Sequence, residues 1–388
     1  MKIKIETLTP IWTGGVDRNC DRIHETGIIG SLRWWYEAVA RGLDGYACDP
    51  VNDGCPKVIK ENSKEISKRC DACELFGCTG WSRKFRLEIG NGDAVFQRNH
   101  PLSFPSRRKG GWYLGSGRSG DNIEMNIIPL RTDGVDIENL IRTPLLLASK
   151  WGGLGARTQV GFGAVNAVDE NNHEPTPDIG RFVAQFPKTD KSLRRKINPP
   201  EVPNLNHFFF AKFHINSSIN WWEKLNCWKG AWNKSQEPAL TSWGKADTIP
   251  VALDIKDVLR YGGFIPSFGS NNTIGENDVA KYICGTIRGA KMASRINISS
   301  AYLVGNNQWE FRIWGWIPNN LSNRVTLMDE IYIALNNASF WQEIFGIGTS
   351  CVTMICWREK EQNVSGGRCT GTCTICTTGE DFLKCLLQ

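Results

Sequence analysis

The segment ETGIIGSLRWWYEAVARGL, residues 25–43, contains the clearest helical pattern in the chain. Its apolar side chains recur at spacings of three and four, which places them on one face of a helix: Ile28, Leu32, Trp35, Val39 and Leu43. Arg33, Glu37 and Arg41 lie four residues apart on another face, where opposite charges attract each other. We therefore predict a helix over residues 28–43, ended by nearby glycines.

Strand-like segments around this helix predict a mixed architecture. Alternating apolar and polar residues indicate strands at residues 2–7, 79–89 and 207–215. Two further strand-like runs, 293–304 and 308–318, are joined by Gly-Asn-Asn, which is typical of a hairpin. An amphipathic segment follows. The order strand, helix, strands, helix, strand occurs about twice, so we predict a tandem α+β protein.

The length and the distribution of proline predict how the chain is divided. At roughly 150 residues per domain, 388 residues suggest two or three domains. Residues 169–205 are rich in proline and have few periodic patterns, which favours a linker. The expected regions are an N-terminal domain (1–168) with a Cys-rich insertion at about 46–75, the linker (169–205), a C-terminal domain (206–350) and a Cys-rich tail (351–388).

Positive charge is concentrated in one part of the chain. The net charge is +6, and residues 79–119 carry eight Lys and Arg against two acidic residues, so the remainder is neutral overall. Aromatic residues are interleaved with these cations: Trp81, Phe85, Trp112 and Tyr113. This pattern fits a polyanion with bases that can stack. A solvated basic face is the alternative.

The sequence predicts a cytoplasmic protein. No apolar stretch reaches the roughly 18 residues of a membrane span, and the first residues lack the apolar core of a secretion signal. In the cytoplasm thiols stay reduced, so clustered cysteines more often bind metal than form disulfides.

Four of the fourteen cysteines predict a structural zinc site: Cys48, Cys55, Cys70 and Cys73. The Cys-X2-Cys pair supplies two thiolates from one turn, and the second pair completes a tetrahedral site. Cysteines without metal are the alternative, and Cys78 could replace one member. A redox pair is disfavoured, because Cys70 does not open a helix after a strand in a thioredoxin-like βαβ unit. The tail could hold a second zinc or be a poorly ordered terminus.

The chain has few candidates for catalysis. The glycine-rich residues 151–165 match neither a Walker loop nor a dinucleotide fingerprint, so nucleotide hydrolysis is not supported. These glycines could admit phosphates beside Arg157 or allow close packing of backbone on backbone. Asp17 and Asp21 could hold a metal, and His24 is the nearby histidine, but solvated loop side chains are the simpler interpretation.

Five segments resemble one family. TPIWTGG (9–15), ETGIIGSLRWWYEAVARGL (25–43) and CDACELFGCTGWSRKFRL (70–87) resemble the first-subunit family of the type III-B CRISPR effector, the Cmr complex. GGLGARTQVGFGAV (152–165) is similar to the glycine loop of the RAMP superfamily, to which that family belongs. KMASRINISSAYLVGNNQWEFRIWGWIP (291–318) is similar to the family's second domain.

The resemblance implies two tandem ferredoxin-like, RRM-type RAMP domains with a Cys-rich zinc-binding insertion. It implies a non-catalytic subunit of an antiviral ribonucleoprotein complex. Such a subunit holds the 3′ region of the crRNA and its RNA target beside other RAMP subunits. No catalytic residues are expected, and target cleavage belongs to other subunits of such complexes.

Candidate RNA-binding residues follow from local chemistry. The opening of the predicted helix, at residues 27–31, would present free N–H groups to a phosphate. Trp34 lies off the apolar stripe and could stack on a base or be buried under a loop. The full set is Arg18, Arg22, Ser31, Arg33, Trp34, Lys84, Arg86, Arg157, Arg288, Lys291 and Arg295.

Two other functions remain open at the level of sequence. A RAMP ribonuclease acting on crRNA precursor or target RNA would need a positioned acid or base, for which Asp17 and Asp21 are the candidates. A DNA-binding zinc protein would need a recognition helix rich in Arg and Asn, but the predicted helix is mostly apolar.

Overall fold

Two antiparallel sheets organise the part of the chain that the structure describes. The structure is a computed structural model and describes residues 1–17, 19–51, 54–55, 57–61, 64–90, 102–105, 111–185, 201–216, 221–225, 248–270, 273–286, 291–305, 307–346, 351–360 and 376–388. The strands are β1 (Lys2–Thr7), β2 (Lys57–Glu61), β3 (Lys64–Lys68), β4 (Phe85–Ile89), β5 (Leu102–Pro105), β6 (Gly111–Leu114), β7 (Ile123–Pro129), β8 (Val165–Asp169), β9 (Phe208–Asn216), β10 (Thr248–Ile249), β11 (Ile296–Ile298), β12 (Ala301–Gly305), β13 (Gln308–Trp316) and β14 (Val352–Glu359). The helices are α1 (Glu25–Gly42), α2 (Asp71–Phe76), α3 (Ile137–Trp151), α4 (Ile179–Ala184), α5 (Ala252–Tyr261), α6 (Asp278–Cys284), α7 (Arg324–Asn336), α8 (Ala338–Phe345) and α9 (Gly379–Leu387).

The first sheet has the strand order β4-β7-β1-β8, and its neighbouring strands are antiparallel. α1 follows β1, and α3 lies between β7 and β8. This is the ferredoxin-like arrangement, strand-helix-strand-strand-helix-strand. The pairs β2–β3 and β5–β6 form separate two-stranded sheets inserted between its elements.

The second sheet repeats this arrangement. β12, β13, β9 and β14 are antiparallel neighbours in that order, with α5 after β9 and α7 before β14. β10 extends the sheet beside β12, and β11 pairs with β13. The predicted α+β class with two tandem ferredoxin-like units is therefore confirmed. β14 lies beyond residue 350, where the sequence placed the end of the second domain, and the domain limits remain a prediction.

α1 buries the predicted apolar stripe. Four side chains of this stripe are at most 2% exposed: Ile28, Leu32, Trp35 and Val39. On the neighbouring face, Nε of Arg33 lies 2.8 Å from Glu37, and Arg41 lies 3.6 Å from the same carboxylate. The helix begins three residues earlier than predicted, at Glu25, whose carboxylate suits the positive end of the helix dipole.

The predicted strand at residues 79–89 is shorter in the structure. Only β4, from Phe85 to Ile89, belongs to the sheet. Before it, Cys78 and Trp81 form an isolated antiparallel bridge, with hydrogen bonds of 2.9 Å in both directions. The chain therefore turns tightly at residues 78–81, and Trp81 lies outside the sheet.

The second sheet packs one face onto helices of the first unit. Phe208 and Phe210 of β9 lie against Trp35 of α1, with ring centroids 5.9 and 6.3 Å apart. Arg312 of β13 donates a hydrogen bond to the Ser149 carbonyl in α3. This face is buried, so its aromatic rings are not open to RNA bases as they are in an RRM.

Segments predicted as linker and tail also pack into the first core. α4, in the predicted linker, buries Phe182 with its ring 6.1 Å from Tyr36. α9, in the predicted tail, accepts a 2.6 Å hydrogen bond at the Leu386 carbonyl from the Trp151 indole. The described end of the tail is thus a packed helix, whereas residues 361–375 lie outside the described chain.

Candidate metal centre and nucleic-acid interface

The structure brings the four predicted metal ligands together. The Sγ atoms of Cys48, Cys55, Cys70 and Cys73 all lie within 4.8 Å of one another. The sulfurs of Cys48 and Cys73 are 3.7 Å apart. Tetrahedral zinc with Zn–S bonds of about 2.3 Å would separate its sulfurs by roughly 3.8 Å. The donor set therefore fits a four-coordinate metal ion.

Local hydrogen bonds position these sulfurs. Cys70 caps α2 and accepts a 3.3 Å hydrogen bond at Sγ from the Cys73 amide. Asp71 Oδ2 accepts a 2.8 Å hydrogen bond from the Tyr46 amide, which ties the loop before Cys48 to α2. A hydrogen bond with the Cys55 thiol lowers the pKa of Cys48 and favours the thiolate that metals bind.

Cys70 opens the short helix α2 and follows strand β3. This is not a thioredoxin-like βαβ unit, because β3 pairs antiparallel with β2 in a separate two-stranded sheet. Cys48 and Cys55 also lie close enough to share one ion with Cys70 and Cys73, which favours the metal interpretation.

Cysteines outside this group do not form a second one in the described part of the chain. Cys78, considered as a replacement ligand, is not a member of the cluster. In the tail, Cys385 is disulfide-bonded, so its sulfur is not a free ligand. Cys369 and Cys373 lie outside the described residues.

Arg33 serves the cysteine cluster and not an exposed RNA site. Its Nη2 lies 3.2 Å from Sγ of Cys73, and its Nη1 donates to the Gly77 carbonyl at 2.8 Å. Burial opposes the charge on Arg33, but the hydrogen bond to Glu37 outweighs it and raises the pKa of the guanidinium. The cation thus stays charged beside the thiolates, where it offsets their negative charge.

Lys84, a predicted RNA-binding residue, is buried and paired with carboxylates. Lys84 is 5% exposed, and its Nζ lies 3.0 Å from Glu74 and 3.1 Å from Asp133. The ammonium is therefore neutralised inside the protein. Arg86 is 56% exposed on the open face of the first sheet, 2.7 Å from Glu88.

The open face of the first sheet does not provide stacking rings. Its outward positions alternate with the buried ones and mix acidic, basic and small residues: Lys2, Lys4, Glu6, Arg86, Glu88, Glu124, Asn126, Ile128, Asn166 and Val168. These positions contain no aromatic residue. The RRM-like use of a sheet surface is therefore unsupported in either unit.

The opening of α1 does not gather the predicted basic residues. Arg22 pairs with Glu25 at 2.8 Å. The Ser31 hydroxyl accepts a 2.8 Å hydrogen bond from the Gly155 amide and bonds the Gly155 carbonyl at 3.2 Å. Ser31 thus joins α1 to the glycine-rich segment, and Arg18 lies outside the described residues.

The glycine-rich segment serves close packing. Leu154 donates to the Gly163 carbonyl at 2.8 Å, and Gly163 donates to the Pro10 carbonyl at 2.9 Å. A Cβ at Gly152 would overlap the ring of Trp35. Of the two sequence interpretations, these contacts favour backbone packing. Arg157 lies at the edge of the segment, over the Trp12 ring at 4.2 Å.

The remaining predicted RNA-binding residues are dispersed. Trp34 is partly buried, and its ring lies edge-on to Trp35 and Phe208, with centroids 4.9 and 5.8 Å apart. These contacts favour burial of Trp34 over stacking on a base. Arg295 packs over Tyr282 at 3.7 Å, and burial lowers the pKa of Arg295. Lys291 is exposed, and Arg288 lies outside the described residues.

A basic cleft lies beside the cysteine cluster, and the sequence did not predict it as a site. It has a volume of about 620 Å³ and is lined by Phe76, Gly77, Cys78, Trp81, Ser82, Arg83, Leu130 and Arg131. The guanidinium carbons of Arg69 and Arg131 lie 3.6 and 4.4 Å from the Trp81 ring centroid. The sequence signal was partial: Trp81 and Arg83 belong to the basic segment, whereas pairing of β4 with β7 brings in Arg131.

Residues 4–166, which include most of the first ferredoxin-like unit and the glycine segment joined to α1, match the family model of the RAMP superfamily. This match agrees with the superfamily that the sequence predicted for this part of the chain.

The other comparisons give a more distant likeness. The crystal structure of Cmr1 from Pyrococcus furiosus in its apo form is similar to the chain, with 15% identity over 82% of this chain and 88% of that one and a TM-score of 0.36. No curated protein matches the chain. In the described ranges, no helix is both long and apolar enough to cross a bilayer.

Proposed function

We propose that this chain is a non-catalytic RNA-binding subunit of a type III-B CRISPR Cmr effector complex. It holds the 3′ region of the crRNA and its RNA target, and its partners are other RAMP subunits in the cytoplasm. The RAMP match over residues 4–166 carries this proposal. The resemblance of five sequence segments to the first Cmr subunit supports the particular role.

We further propose that the cysteine cluster binds structural zinc. Four sulfur ligands leave no open coordination position, which is typical of structural and not catalytic zinc. The cluster joins the loop after α1 to α2, so the ion would hold the inserted segment against the first unit.

A RAMP ribonuclease is the second candidate, because the structure pairs His24 with an acid. Nε2 of His24 lies 2.7 Å from Oδ1 of Asp21, and this hydrogen bond lowers the pKa of Asp21. Such a pair could move a proton at a 2′-hydroxyl. Asp17 is instead held by Asn19, at 3.0 Å from its amide and 2.8 Å from its side chain.

RNA cleavage distinguishes the two candidates. We expect the purified full chain to bind labelled crRNA and target RNA but to cut neither with Mg²⁺ or Mn²⁺, because Asp17 and Asp21 do not form a gathered metal site. An assembled Cmr complex serves as the positive control and should cut equally well with Asp17→Ala or His24→Ala in this subunit. Specific cleavage by the isolated chain that is lost in His24→Ala would support the ribonuclease instead.

A further inference from the structure

We propose that the cleft at Trp81 binds a nucleotide of single-stranded RNA, with its base on the layer formed by Arg131 and Trp81 and its phosphate at Arg83. This inference rests on the proposed function and names a surface that would perform it. The cleft is formed by the chain between α2 and β4 and by the residues that follow β7.

Two guanidinium groups lie at the Trp81 indole, and one of them, Arg69, is held in place by an ion pair. Arg69 lies 3.6 Å from the Trp81 ring centroid and is held by Glu74, with Nε 2.8 Å from the carboxylate. Arg131 lies 4.4 Å from the same centroid, and its Nη2 donates to the Ser82 carbonyl at 2.6 Å. Because guanidinium planes and indole rings both stack on bases, this layer is suited to a nucleobase.

Two guanidinium groups retain donors for a phosphate. Arg83 uses Nε on the Phe85 carbonyl at 3.0 Å, and Arg131 uses one Nη2 hydrogen bond. Neither has a carboxylate partner within the described ranges. Since a guanidinium has five N–H donors, each has several left. Carboxylates of the same region are already committed, with Glu74 shared by Arg69 and Lys84.

The shape of the cleft suits a base better than a protein side chain. It is open, about 620 Å³ in volume, and Phe76 forms part of its lining. Leu130, at its edge, is 56% exposed and offers an apolar contact. The indole N–H donates to the Glu74 carbonyl at 3.3 Å, which orients the ring within the turn. Recognition through stacking and phosphate contacts tolerates many sequences, which fits a subunit that holds different guides.

Binding of short fluorescent oligouridylate and oligoadenylate to the full chain, over a range of salt concentrations, tests this site. Trp81→Ala should weaken binding of both about tenfold, because each stacked base contributes strongly to affinity. Arg83→Gln combined with Arg131→Gln should lower the slope of log affinity against log salt by about 0.7, the value for the one phosphate contact in the site. Arg181→Gln on α4, 62% exposed, is the matched control and should change neither quantity.

Metal content and melting temperature show whether Trp81→Ala has misfolded or has only lost RNA binding. The Arg83→Gln, Arg131→Gln double variant tests the same site while Trp81 stays in place. Cross-linking of 5-bromouridine RNA should fall on the peptide containing Trp81. A wild-type chain that binds RNA while all cleft variants match it in affinity and salt slope would overturn this inference alone. A wild-type chain that binds no RNA, free or in the complex, would overturn the proposed function and this inference with it.

Discussion

Replacing Cys73 with serine is expected to remove the bound metal and to destabilise the first unit. The variant keeps three sulfurs within the cluster and loses the contact of Arg33 with Cys73, which measures 3.2 Å. Because metal binding and local folding are coupled, we expect less than one zinc equivalent and a loss of unfolding free energy on the order of 4 kcal/mol. Elemental analysis and thermal melting measure the two effects.

Cys78→Ser is the matched control for this prediction. Cys78 is a partly buried thiol in the turn that follows α2 and does not belong to the cluster. The control should retain about one zinc equivalent and the wild-type melting temperature. Wild-type protein that contains no metal and a Cys73→Ser variant of normal stability would contradict the zinc site.

Gly163→Ala is expected to destabilise the first unit severely. Gly163 has φ of +89°, and a Cβ there would overlap the carbonyl oxygen of Leu154. Leu154 cannot retreat easily, because its own amide donates to the Gly163 carbonyl at 2.8 Å. The unfavourable backbone conformation and the backbone clash together should cost on the order of 4 kcal/mol, measured by denaturant unfolding.

Gly134→Ala separates the two causes. Gly134 also has positive φ, +77°, but a Cβ there meets no heavy atom within 4 Å. Its cost should be about 1 kcal/mol, from the backbone conformation alone. If both variants lose the same free energy, the close packing of the glycine segment does not contribute to stability as described.

The parts of the fold that the sequence predicted correctly depend on local patterns. The stripe of α1 follows from 3.6-residue periodicity within one segment. The cysteine cluster follows from the spacing of its thiols, which the sequence predicted to be reduced and available to a metal. The structure confirms both the apolar stripe and the cysteine cluster, because residues close together in the sequence form them.

The surroundings of the candidate RNA-binding residues were harder to predict, because residues distant in sequence decide how exposed these side chains are. Lys84 is charged and lies in a basic segment, yet Asp133, reached through the β4–β7 pairing, buries it in an ion pair. Arg33 looked like an exposed cation on a helix, but Cys73 and Gly77 from α2 and its end surround it. Charge counts along the chain cannot reveal such partners, and they also miss Arg131 at the Trp81 cleft.

Strand β14 was also not predicted from the sequence, for a similar reason. The sequence placed the residues of β14 in the Cys-rich tail and did not predict a strand there. β14 nevertheless pairs with β9 from Val352 opposite Ile215 to Glu359 opposite Phe209. Strand membership here depends on a partner more than a hundred residues away, which no local window contains.

Sequencing of RNA cross-linked to this subunit in its native cells tests the central claim most directly. The account predicts that the recovered RNA is enriched in crRNAs, with cross-links concentrated in their 3′ regions and in matching target transcripts. Other RAMP subunits should co-purify with it. Recovery of no RNA above background, or of RNA unrelated to crRNAs and their targets, would contradict the assignment to a Cmr effector complex.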